Sequence, residues 1–140
     1  MAFSQYLATK VLGFYKNSAF PTALTNVYVS LHTADPGVAG TNNDATASIR
    51  GNSTRVAIAA TAFSSVGAAS GGGFQITNSG VCQITTSAQN SSGTTVTHFG
   101  VWDSASSGNF LASGSLTTNV DVQLGDTVQF NAGAMAIKVI

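Results

Sequence analysis

The chain contains no glutamate. Its five acidic residues, Asp35, Asp44, Asp103, Asp121 and Asp126, are matched by five basic ones, Lys10, Lys16, Arg50, Arg55 and Lys138, so the formal net charge is zero. Charged residues make up 7% of the 140, against about 25% in an ordinary soluble domain. Scattered charge of this kind excludes the clustered basic surface that displaces counterions from a phosphate backbone, so no nucleic-acid partner is expected. It also excludes the polybasic patch that draws a protein to an anionic membrane, and no stretch is long and apolar enough to span a bilayer.

Cysteine is almost missing. Cys82 alone cannot close an internal disulfide, and its place in Val81-Cys82-Gln83-Ile84 reads as a small core or interface residue. The uninterrupted apolar run of a secretory signal is also missing, because Lys10 and Lys16 break the N-terminal segment. Without such a signal, the triplets Asn52-Ser53-Thr54 and Asn90-Ser91-Ser92 carry no expectation of glycosylation.

What remains is 44% hydrophobic residues set among Ser, Thr, Asn and Gly. The length fits one domain over residues 1–140 with a hydrophobic core of its own. A surface so short of charge favours association, which suits a part covered by neighbouring subunits; the alternative is a neutral, hydroxyl-rich coat of the kind some secreted proteins have.

The pattern along the chain is helix first, then strands. Residues 4–16 read as a helix with Ser4 as N-cap. Leu7, Val11 and Phe14 follow helical spacing, and Asn17 with Phe20-Pro21 ends it. The helix is expected to pack on the core, or else to serve, within residues 1–20, as an arm on a partner subunit. From Val27 the period becomes two: Val27, Val29 and Leu31 face one side, Tyr28, Ser30 and His32 the other. Ala34-Asp35-Pro36-Gly37 is turn chemistry. Residues 38–54 are a long polar stretch, read as an extended loop and as the first candidate contact arm.

Further strands are expected at Arg55–Ala60, Phe74–Thr77, Val81–Thr85, Thr94–Asp103, Phe110–Leu116, Val120–Leu124, Thr127–Phe130 and Ala136–Ile140. Ala68-Ala69-Ser70-Gly71-Gly72-Gly73 is a connector; it has no Lys and no following helix, so it does not read as a phosphate loop. Asn78-Ser79-Gly80 reads as a hairpin turn. Thr94–Asp103 carries large groups on both faces and is expected to be a central strand of a sandwich, or to have one face covered by a neighbour. Roughly eight short strands predict an all-β, single-domain antiparallel sandwich, jelly-roll or immunoglobulin-like, with one N-terminal helix.

Chemistry is sparse. His32 and His98 can be paired on paper with Asp35 and Asp103, but a metal needs three or four converging ligands and a nucleophilic site needs a geometry that abundant serines do not supply. Each histidine is read as hydrogen-bonding at a strand edge. No enzyme activity, cofactor or metal is expected. Asp103, with Ser104 and Ser106, and Asp126 read as turn residues whose carboxylates satisfy loop amides.

Four segments, in order, resemble a family of small virion proteins of tailed bacteriophages. They are Leu31-His32-Thr33-Ala34-Asp35-Pro36-Gly37, Val96-Thr97-His98-Phe99-Gly100-Val101-Trp102-Asp103, Asn109 to Thr118, and Gly125-Asp126-Thr127-Val128-Gln129-Phe130. The resemblance departs in the middle, where Ser48–Val56 offers only Ile49-Arg50 and Thr54-Arg55-Val56. It implies a virion structural protein with no catalytic residues to transfer. On that basis the expected role is capsid decoration, cementing major capsid protein subunits, with copies of itself (a trimer among the options) as further partners. The alternative is a tail fibre or appendage module that meets tail proteins and a host-surface glycan, for which Tyr28 and Trp102 are the tempting aromatic residues. Candidate partner contacts are Tyr6, Phe14, Asn42, Asn43, Asp44, Arg50 and Arg55.

Overall fold

The computed structural model describes residues 3–139. Helix α1 spans Gln5–Tyr15, and nine strands follow: β1 Asn26–His32, β2 Val56–Ala59, β3 Gly67–Ala68, β4 Phe74–Thr77, β5 Cys82–Thr85, β6 Thr94–Trp102, β7 Phe110–Val122, β8 Val128–Phe130 and β9 Ala136–Val139. A five-residue helix, α2 at Thr46–Arg50, and a 3-10 turn at Ala60–Ala62 complete the elements. All the strand pairings are antiparallel, and the fold is a β-sandwich.

The larger sheet has the order β2-β1-β6-β7. Its register sets two faces. Leu31 pairs with Phe99 and Phe99 with Gly114; one step on, His32 pairs with His98 and His98 with Ser115. Successive residues alternate across the pleat, so Val27, Val29, Leu31, Phe99 and Val101 share one face, and Ser30, His32, His98, Gly100 and Trp102 the other. The apolar face joins Ile49, Ile84, Val128, Phe130 and Met135 in one buried cluster. Each such side chain contributes about 1.5–3 kcal/mol relative to exposure. As expected, β6 is central, and Phe99 to Trp102 are buried in succession.

The second layer is built from β3-β4-β9 and the ribbon β5-β8. A bridge between Leu116 and Met135 joins β7 to the start of β9. Asn78 sits at the corner. Its Nδ2 donates to the carbonyls of Gly80 and Asn131, its Oδ1 accepts from the Met135 amide, and its own amide donates to the Met135 carbonyl.

Five expectations change. Asn78-Ser79-Gly80 is not a hairpin: β4 pairs with β3 and β9, and β5 with β8. The polar side chain that suggests a turn is instead buried and binds three segments. The runs Phe110–Leu116 and Val120–Leu124 are one strand, because β7 continues through Thr117-Thr118-Asn119 to pair Val120 with Val96 and Val122 with Thr94. Residues 38–54 are not an extended loop. Ala45 donates to the Leu31 carbonyl, Thr46 Oγ1 accepts from the Leu31 amide, and α2 buries Ile49. Helix α1 is capped by Ser4 as expected, yet buries none of its residues. Of the two histidines, His32 does end β1, buried and paired with His98, but His98 lies within β6 and not at a strand edge. Ile140 of the last expected strand, and residues 1 and 2 of the arm, lie outside the described residues.

Two glycines test this packing. Gly40 has φ +73°, and a Cβ there would stand 2.3 Å from the Phe110 ring; Gly125 has φ +85° with open space around it. Gly125→Ala should therefore cost only the left-handed backbone term, about 1 kcal/mol. Gly40→Ala should cost that plus overpacking, about 3 kcal/mol in total. Urea unfolding of the two variants measures the difference. Cys82 is buried, and burial pushes its thiol up, partly offset by a hydrogen bond with Asn78. A thiol held protonated is a poor nucleophile. Cys82 should react slowly with Ellman's reagent in the native protein and fully in guanidinium.

Candidate functional site

The polar face of the larger sheet carries a directed hydrogen-bond chain. Trp102 Nε1 donates to Ser30 Oγ at 2.9 Å, Ser30 Oγ meets His32 Nε2 at 2.8 Å, and His32 Nδ1 meets the Asn42 carbonyl at 2.8 Å. A carbonyl can only accept, so the His32 proton sits on Nδ1, Nε2 accepts, and Ser30 donates to it. Every group in the chain is used once, and the imidazole is neutral. Burial pushes the His32 pKa below its ordinary 6.5, outweighing the hydrogen bond to Asn42 and the charge of Asp44.

Trp102 is held from above and from the side. The Arg55 guanidinium lies 3.6 Å from its ring centroid, and Phe110 packs beside it at 5.0 Å. Arg55 Nη1 donates to the carbonyls of Ser104 and Ser107. Partial burial lowers its pKa from the usual arginine value, opposed by Asp44 and Asp103. Asp103 Oδ1 accepts from the Asn109 amide and Oδ2 from its side chain, so the carboxylate closes the β6–β7 loop as the sequence suggests.

The chain also fixes the segment after β1. The Asn42 carbonyl is bound by His32, the Thr33 amide donates to the Asn43 carbonyl, and Asn43 Nδ2 donates to the Asp35 carbonyl. Asp35 Oδ1 accepts from the Gly37 amide. Residues 35–44 therefore form a closed loop beside the polar face.

Between this loop and β9 runs a groove of about 530 Å³. Its walls carry Asp35, His98, Ser113, Ser115, Lys138 and Phe3. His98 and Ser115 are register partners, and Ser113 lies two residues from Ser115 on the same face. Gly114 must lack a side chain, since a Cβ would lie 2.8 Å from both the Ala136 carbonyl and the Phe99 ring. Phe3 is placed by Ser4, whose amide donates to the Leu111 carbonyl and whose Oγ caps α1 at Leu7.

The contact residues named from the sequence are spread widely. Phe14 is 63% exposed and packs edge-on against Tyr15 and Phe20. Tyr6 lies a helical turn before Lys10, whose Nζ stands 5.5 Å from its ring centroid. Asn42 and Asn43 are exposed but tied into the loop, and Asp44 Oδ1 accepts from the Thr46 amide at the start of α2. Arg50 ends α2, and Arg55 is spent on Trp102. They do not converge. Nor does Trp102 offer an open platform, being only 7% exposed. Sequence reasoning missed the groove: Asp35 and His98 stood out singly, while Ser113, Ser115 and Lys138 carried no signal that set them apart. Among the described residues, no three of His, Cys, Asp and Glu gather as metal ligands, and no helix is long and apolar enough to cross a membrane.

Neutral His32 has a consequence for pH dependence. Its folded pKa lies below its unfolded value, so its contribution to stability is complete above pH 6.5. As pH falls below 6.5, the unfolded chain takes up a proton that the folded chain refuses, and stability declines by up to about 1.4 kcal/mol per pH unit until the folded pKa is reached. An NMR titration of the His32 imidazole should give a midpoint below 6.5, with Nδ1 protonated throughout.

No curated protein matches the chain. Residues 2–138 do match a family described as Podophage GP4 fiber I protein gp80. With almost its whole length covered, the chain belongs to that family and, as the sequence resemblance implies, is a structural protein of the tailed-phage virion.

Proposed function

We propose that the chain is a tail-fibre module of a phage virion that meets the host surface, rather than a cement protein on the capsid. The observation that carries this reading is the family match over residues 2–138, whose description is that of a fibre protein. The capsid-decoration role expected from the sequence has no comparable support.

The surface chemistry agrees with a built-in part. Tyr15 is 81% exposed and adjoins exposed Leu12, Phe14 and Phe20 on and after α1. Apolar area of that kind suits burial against a neighbouring virion subunit, whether a tail protein or another copy of this chain. The role is binding and support: the one hydroxyl–imidazole pair described above, Ser30 with His32, is fully buried beneath Trp102 and is spent on holding the fold.

Cryo-electron microscopy of the intact virion tests the reading. The sandwich should fit density on the tail. Density repeated over the capsid lattice would restore the decoration role and refute the fibre.

A further inference from the structure

The groove between residues 35–38 and β9 holds a set of polar groups that the fold does not use. Asp35 spends Oδ1 on the Gly37 amide, and Oδ2 has no protein partner among the described residues. Thr97 Oγ1 gives its one proton to the Thr33 carbonyl at 2.8 Å. The His98 Nδ1 that meets the same hydroxyl at 2.7 Å must then be the donor. In the neutral ring Nε2 is left as an acceptor with no protein partner. The hydroxyls of Ser113 and Ser115 and the Lys138 ammonium likewise make no hydrogen bond with the described residues. The groove thus presents acceptors, donors and amphoteric hydroxyls within about 530 Å³, inside the usual range of about 300–1,000 Å³ for small-ligand sites.

The mixture narrows the ligand. A phosphate or sulfate wants concentrated positive charge, and here one lysine faces one aspartate. A metal wants a third ligand beside Asp35 and His98, and none is present among the described residues. An acyl chain wants a continuous apolar wall, and the floor is Ser113, Gly114 and Ser115. A sugar ring asks for this combination: acceptors and donors for vicinal hydroxyls, and an aromatic face such as that of Phe3 for its C–H side. Resting on the fibre reading above, we infer that this groove binds a neutral hexopyranoside, the chemistry of a bacterial surface glycan. Asp35 accepts from a hydroxyl pair, Lys138 donates, Ser113 and Ser115 do both, and Phe3 packs against the ring.

The test is an NMR titration of the full-length 15N-labelled chain with methyl glucoside, methyl galactoside, methyl rhamnoside and N-acetylglucosamine, with inorganic phosphate as a counter-probe. At least one sugar should shift the amides of Asp35, His98, Gly114 and Ser115 progressively and saturably at millimolar concentration. Asp35→Asn keeps the acceptor for the Gly37 amide, and Lys138→Ala leaves the backbone pairing intact. Each should weaken that sugar about tenfold, as loss of a hydrogen bond to a charged group does, while Asp121→Asn should not. If none of the sugars moves the groove amides, if phosphate moves them instead, or if the variants bind unchanged, the inference is overturned. The virion density answers separately: tail density with a silent groove removes the glycan site and keeps the fibre, whereas capsid density with a sugar-responsive groove does the reverse.

Discussion

The hydrogen-bond chain from Trp102 through Ser30 and His32 to the Asn42 carbonyl organises the molecule. It lies between two central strands and the loop that covers them. Its direction is fixed at both ends, by an indole that can only donate and a carbonyl that can only accept. That leaves the neutral His32 ring one tautomer. Gly100 lacks a side chain because a Cβ would stand 2.4 Å from Ser30 Oγ, and Gly40 because Phe110 packs against it. A buried polar network is costly when half satisfied and specific when complete, and this one is complete.

The groove depends on that chain indirectly. The hydrogen bond to Asn42 holds residues 35–44 down beside the sheet, and the same loop presents Asp35 at the groove's edge. The floor comes from the register of β6 with β7, which sets His98 against Ser115. One wall is thus local turn chemistry, and the other is long-range pairing.

That division explains what could be read from the sequence. The alternation in Val27–Leu31 and Thr94–Trp102 reports a buried face directly, so those strands and the sandwich were legible, as were Ser4 capping α1 and Asp103 closing its loop. Asn78 was not, because a buried asparagine that joins three segments looks the same in sequence as one in a turn. Thr117-Thr118-Asn119 read as a break because its side chains are exposed, although its backbone continues the strand. The polar run from residue 38 looked like a free arm because its partners on β1 are main-chain atoms, which composition does not display. The groove residues come from five separate elements and segments, and only the fold brings Lys138 near Asp35.

Ser4 belongs to two structures at once. It caps α1, whose outer side is apolar and exposed, and it is the neighbour that sets Phe3 on the groove wall. No residue of α1 is fully buried, one side of the helix is half-buried, and its first turn is tied down by Ser4 and by the Gln5 amide donating to the Val38 carbonyl. The same serine thus fixes the start of the helix and the chain position from which Phe3 reaches the groove. Helix start and groove wall share one buried anchor, a single serine.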